Sequence, residues 1–158
     1  MMRKITVGGI IESKGLTSIR IMGVPDRPGI AGRLFRQLAK LSVNVEFISS
    51  ATDAYGTANL MLCVSNADGE RIVATFETLR NSVEAAKIDA VRDVATIGVY
   101  GPHFRETPDV AAHLFSCLAD QEIQVLGVST SISTVACLVR ESELDKARDA
   151  ICCAFCVP

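Results

Sequence analysis

From Ser18 to Val24 apolar and polar residues alternate and β-branched side chains are frequent, the period-two pattern of a strand with one buried face. The period then changes. Ile30, Leu34, Leu38 and Leu41 recur at helical spacing and form one apolar stripe, with Pro28 expected in the first helical turn, where its missing N–H costs nothing. A second strand is predicted over Val43 to Ser50, a turn at Asp53-Ala54-Tyr55-Gly56, and a third strand over Ala58 to Val64. Asn66 or Asp68 can cap a helix running to about Leu79 or Arg80, and Ser82 to Ala90 supplies a weak fourth strand. The order is β-α-β-β-α-β.

The same pattern returns eighty residues later. Pro28-Gly29-Ile30-Ala31-Gly32-Arg33-Leu34-Phe35-Arg36-Gln37-Leu38-Ala39 matches Pro108-Asp109-Val110-Ala111-Ala112-His113-Leu114-Phe115-Ser116-Cys117-Leu118-Ala119, with six of the twelve positions identical. The register holds onward, Val43-Asn44-Val45 aligning with Ile123-Gln124-Val125 and Ser49-Ser50 with Ser129-Thr130. This is a duplication. The second copy is expected as a strand at Val94 to Gly101, a helix from about Pro108 to Asp120, strands at Gln124 to Thr130 and Ser133 to Arg140, and a helix from Ser142 to near Phe155. Its fourth strand is missing, whereas Ile5 to Ile11 is a spare strand at the N-terminus. The economical arrangement uses that spare strand to close the second sheet. Residues 17–91 then form one module, inserted within a second made of 3–12 plus 92–158. The fold class is α+β, two ferredoxin-like βαββαβ modules with antiparallel sheets and helices on one face.

Composition adds exclusions. Hydrophobic residues make up 49% of the 158, only 5% are aromatic and there is no Trp, so the core is built from Ile, Val, Leu and Ala. A net charge of −2 without clustering argues against nucleic-acid binding, and no segment reads as a secretory signal or a membrane span, which leads to the expectation of a cytoplasmic protein. Cys63, Cys117 and Cys137 sit in apolar runs as small hydrophobes. Cys152, Cys153 and Cys156 crowd the C-terminus, but His103 and His113 are distant and no second ligand pair gives metal spacing. Helix-face thiols in a reducing cytosol are the expectation, with no metal and no cofactor. Gly8-Gly9 lacks the Lys-Ser/Thr of a nucleotide loop, and no catalytic residue is singled out.

Candidate chemistry lies in Gly23-Val24-Pro25-Asp26-Arg27-Pro28-Gly29-Ile30-Ala31, a tight loop at a helix start. Unpaired N–H groups and a partial positive charge there suit a carboxylate, and Asp26 could take an ammonium group; together they would hold an amino-acid zwitterion. Equally, Asp26 could simply stabilise the helix start while Pro28-Gly29 shape the turn. Sequence chemistry leaves both open.

That loop, followed by Val43-Asn44-Val45-Glu46-Phe47-Ile48 and by Gly56-Thr57 before an apolar strand, resembles the first ACT domain of aspartokinases. Val128-Ser129-Thr130-Ser131 ahead of Val135-Ala136-Cys137-Leu138-Val139 resembles the second. The resemblance covers about Ile5 to Phe155 and is closest to the separate β subunit made from the aspartokinase regulatory region. It implies a non-catalytic feedback module for amino-acid biosynthesis, dimeric through its ACT domains, with lysine or threonine as effector at the interface of paired chains and a kinase-domain subunit as a further partner. The positions it implies for ligand binding are Asp26, Pro28, Gly29, Ile30 and Ala31 with Asn44 and Val45 on the next strand. In the second copy they are Pro108, Val110, Ala111, Gln124 and Val125.

Three departures bear on the ligand. Ser50-Ala51 stand where the family commonly has Gln-Asn, Ile132-Ser133 where it usually has Glu-Ile, and Asp109 replaces the glycine of the second Pro-Gly. A carboxylate at that helix start repels an amino acid's own carboxylate. They favour an alternative reading, an ACT dimerisation module without an effector. An enzymatic reading rests only on the C-terminal cysteines.

Overall fold

The computed structural model describes residues 4–102 and 104–158. Its elements are β1 (Ile5–Thr6), β2 (Gly9–Pro25), α1 (Ile30–Lys40), β3 (Phe47–Thr52), β4 (Thr57–Ser65), α2 (Asn66–Val73), α3 (Phe76–Val83), β5 (Lys87–Tyr100), α4 (Asp109–Ala119), β6 (Gly127–Thr130), β7 (Thr134–Arg140), α5 (Leu144–Ala154) and β8 (Phe155–Cys156). The chain divides into two compact units, residues 15–93 and residues 1–14 with 94–158. The divisions fall inside β2 and β5, each of which contributes one part to each unit.

In the 15–93 unit the strand order is β3-β4-β2-β5, and β4 is antiparallel to both β2 and β3. Ile19 and Ile21 of β2 and Leu60, Leu62 and Val64 of β4 project to one face and meet Ile30, Leu34 and Leu38 of α1, with Ile72, Leu79 and Val83. Each side chain is there because the period-two face of a strand meets the 3.6-residue stripe of a helix. In the other unit the order is β2-β5-β7-β6. Ala95, Ile97 and Val99 of β5 with Val135, Cys137 and Val139 of β7 pack against Val110, Leu114 and Leu118 of α4 and Leu144, Ala147 and Ile151 of α5.

The N-terminal segment differs in detail from a single strand over Ile5 to Ile11. Ile5–Thr6 run parallel to Phe155–Cys156, and the Val7 N–H donates to the Cys156 carbonyl at 3.1 Å. The chain then steps over, Gly8 donating to the Tyr100 carbonyl at 2.6 Å, before β2 begins at Gly9. Thus α5 ends at Ala154, and Cys156 belongs to a strand rather than a helix face.

Several local expectations are corrected. Pro28 lies outside α1, whose N-cap is Gly29 in a left-handed conformation with φ 93°, a backbone that glycine alone adopts without strain. Asn44, Val45, Gln124 and Val125 lie in loops before β3 and β6, not on strands. There the chain is still leaving its helix: Val43 donates to the Leu38 carbonyl and Ile123 to that of Leu118, both at 3.0 Å. The long helix expected after β4 is two helices, broken at Ala74-Thr75, where Thr75 leaves helical geometry (φ −117°, ψ 15°) and its hydroxyl donates to the Ile72 carbonyl. The cap of α2 is Ser65, which accepts from Asp68 N–H at 3.1 Å, not Asn66 or Asp68. The weak fourth strand begins at Lys87 and continues without interruption through Tyr100.

Candidate functional site

The Asp26–Ala31 loop is shaped from both ends. β2 is irregular between Ile21 and Val24, and Gly23, at φ 66°, donates its N–H to Asn59 Oδ1 at 3.1 Å. A Cβ on Gly23 would come within 2.7 Å of Ala86 Cβ, so this corner admits only glycine. Beyond it the Asp26 N–H donates to the Gly56 carbonyl at 3.2 Å, tying the loop to the β3–β4 turn. That turn is held by Asp53, whose carboxylate accepts from Tyr55 N–H at 2.8 Å, Thr57 N–H at 3.1 Å and Thr57 Oγ1 at 2.5 Å. The Thr57 hydroxyl and these amides hold the Asp53 carboxyl below the usual carboxylate range.

Asp26, Arg27, Pro28, Gly29 and Ala31 are exposed, and Ile30 is buried in the core. The loop therefore offers backbone and the Asp26 carboxylate to its surroundings, with Ile30 as anchor. Beside it, Glu84 Oε1 accepts from Arg27 and, at 3.5 Å, from Arg33 in the first turn of α1.

The remaining first-copy positions are not part of this cluster. Asn44 and Val45 follow the C-terminal end of α1, whereas Gly29 caps its N-terminal end, and eleven residues of helix span about 16 Å. The Asn44 backbone N–H is directed at the Asp68 carboxylate, and Val45 packs on the core. Within one chain the expected residues form two groups at opposite ends of a helix. The second copy repeats this separation. Val110 and Ala111 join Phe104, Pro108, Ile132 and Val135 around a cleft of about 420 Å³, while Gln124 and Val125 lie past the far end of α4. Asp109 is the first residue of α4. What sequence reasoning missed at this site is the Asp53–Gly56 turn beside Asp26, and Glu84. The turn was legible as a turn, but its partner was not.

Among the described residues no three His, Cys, Asp or Glu side chains are placed to hold a metal ion, and no helix is long and apolar enough to cross a membrane. His103 lies outside the described residues; the His113 ring meets Phe155 edge-on, centroids 6.0 Å apart. Burial pushes the thiols of Cys63 and Cys137 up to about 12 and that of Cys117 up to about 11.

Models of the ACT domain match residues 17–84 and 97–155, together most of the chain. The chain belongs to the ACT family. Its two ACT domains are similar to the aspartokinase of Bacillus sp. (strain MGA3), 33% identical over 156 residues, which covers 98% of this chain and 38% of that protein. Aspartokinase 2 of Bacillus subtilis (strain 168) is 29% identical over 155 residues, again 98% and 38%. The chain thus spans little more than a third of the length of the curated relatives it matches. Among solved structures, one of aspartokinase alpha and beta subunits superposes with a TM-score of 0.84 at 28% identity, covering 94% of this chain and 98% of that one. The regulatory subunit of aspartate kinase from Thermus thermophilus, in its ligand-free form, has the same fold, with a TM-score of 0.84 at 21% identity over 95% and 99% of the two chains. The chain thus carries two ACT domains that resemble the regulatory region of aspartokinases.

Proposed function

We propose that these ACT domains sense a small amino acid, lysine or threonine first, at a site completed by a second copy of the chain, and pass the signal to a kinase-domain subunit of aspartokinase type. One observation carries this reading. The Asp26–Ala31 half-site and the Asn44–Val45 half-site sit at opposite ends of α1, too far apart to close on one small ligand within a chain. A dimer that sets the loop of one chain against the Asn44–Val45 segment of its partner brings them together twice, as two-fold symmetry requires. The zwitterion's ammonium then faces Asp26 and its carboxylate the amides at the start of α1. The working domains are 17–91 and 3–12 plus 92–158, and the cell compartment is the cytoplasm.

A thermal-shift screen against the twenty amino acids, run with light scattering, tests this. An effector present at 100 times its Kd raises stability by about 2.7 kcal/mol, and a dimer mass is expected. A monomer at micromolar concentration, or no amino acid shifting the transition, overturns it. Ser50, Ala51 and Asp109 favour a second reading, a dimerisation module without an effector. Its signature is a dimer with a flat amino-acid screen.

A further inference from the structure

Glu84 ends α3 in a left-handed conformation, φ 57° and ψ 34°, which glycine or asparagine adopts more readily. The turn closes as such helix ends do, Ala85 N–H donating to the Arg80 carbonyl at 3.0 Å. Nothing in that closure needs a carboxylate. What the carboxylate does is collect cations: Oε1 alone accepts from Arg27, on the candidate loop, and from Arg33, in the first turn of α1. Asp26 is the neighbour of Arg27 in the chain and takes part in none of the ion pairs among the described residues.

We infer that Glu84 is a specificity-determining positioning residue: by holding Arg27 and Arg33 together it keeps two guanidinium groups off Asp26 and leaves that carboxylate to an incoming ammonium. The inference rests on the amino-acid-sensing reading for its ligand, but its electrostatic content is independent of it. Without Glu84, Arg27 is free to neutralise its neighbour, and two unpaired cations beside the amino end of α1 make the loop a site for anions. The half-exposed ion pairs contribute little to stability, so selectivity, not folding, is where their loss registers.

The experiment compares the unaltered 158-residue chain with Glu84→Gln, Glu84→Asp and Glu84→Gly, titrating L-lysine, L-threonine and inorganic phosphate by calorimetry at low ionic strength. Glu84→Gln should bind phosphate about tenfold more tightly than the unaltered chain and the amino acids about tenfold more weakly, with Glu84→Asp restoring the original order. Glu84→Gly relieves the left-handed backbone while removing the carboxylate, so it keeps the test open if Glu84→Gln folds poorly. A residue that only terminates α3 predicts that Glu84→Gly is more stable and binds as before. Unchanged phosphate and amino-acid affinities in both variants overturn the inference. Should the unaltered chain bind no amino acid, the sensing reading fails, and the phosphate gain alone decides the role of Glu84.

Discussion

Gly69 of α2 lies so close to Thr17 of β2 that a Cβ on it would stand 2.6 Å from Thr17 Cβ and 2.7 Å from Oγ1. Thr17 is held in place, being 1% exposed with its hydroxyl bonded to Asn66 Oδ1 at 2.8 Å. Gly69→Ala should therefore destabilise the 15–93 unit. The overlap costs about 1–3 kcal/mol, more than the gain of up to about 1 kcal/mol in helix propensity. A lower urea midpoint at unchanged slope is expected, and a raised midpoint would show that α2 can lift away freely.

Val7 tests the closure of the other unit. It is 3% exposed within the core of Ala95, Ile97, Val99 and Phe155, although nearly ninety residues separate it in sequence from the nearest of these. Val7→Ala should cost about 1–3 kcal/mol. Protection of the 94–158 amides in hydrogen exchange should fall with it, and unchanged protection there would mean that the N-terminal segment is a loose appendage.

Asp53 sets an acid limb. Its folded carboxyl is held below the ordinary range by the Thr57 hydroxyl and the Thr57 and Tyr55 amides, so the unfolded chain binds its proton more readily. The resulting stabilisation is fully present above the ordinary carboxylate pKa and fades as pH falls through the lowered value, below about pH 4. Asp53→Asn should flatten that limb of a pH–stability profile. An acid limb identical to that of the unaltered chain would show that the turn is not held by these bonds in solution.

The six cysteines divide by environment. Cys63 and Cys137 are buried and Cys117 is half-buried, their thiols pushed up to about 12, 12 and 11, so thiolate is scarce at pH 8. Cys152, Cys153 and Cys156 are exposed. A thiol reagent at pH 8 should modify these three in the native chain and all six in urea. Rapid native labelling of Cys63 or Cys137 would reveal opening of the sheet.

The core strands and the first helix of each copy were legible because the patterns are local and repeated, whereas the β1–β8 pairing and the break between α2 and α3 were not. Ile30, Leu34 and Leu38 recur as Val110, Leu114 and Leu118, and both sets are buried where the stripes put them. Helix ends were harder to read. Gly29 stands outside α1 as its cap and leaves Pro28 beyond the first turn, and Ser65 caps α2 in place of Asn66 or Asp68; each outcome rests on one backbone angle or one hydroxyl bond.

The sequence by itself determined the duplication, the β-α-β-β-α alternation at the heart of each copy and the family resemblance, since each is carried by residue identity at fixed spacing. Only the tertiary structure decided which of the singled-out residues are neighbours. Asp26 meets Gly56 and stands a helix length from Asn44 because β3 enters its sheet parallel to β2, each being antiparallel to β4. Glu84 reaches Arg27 and Arg33 from more than fifty positions away, through the folding of α3 against α1. Contacts of that range depend on strand order and helix packing, which hydrophobic periodicity leaves unspecified.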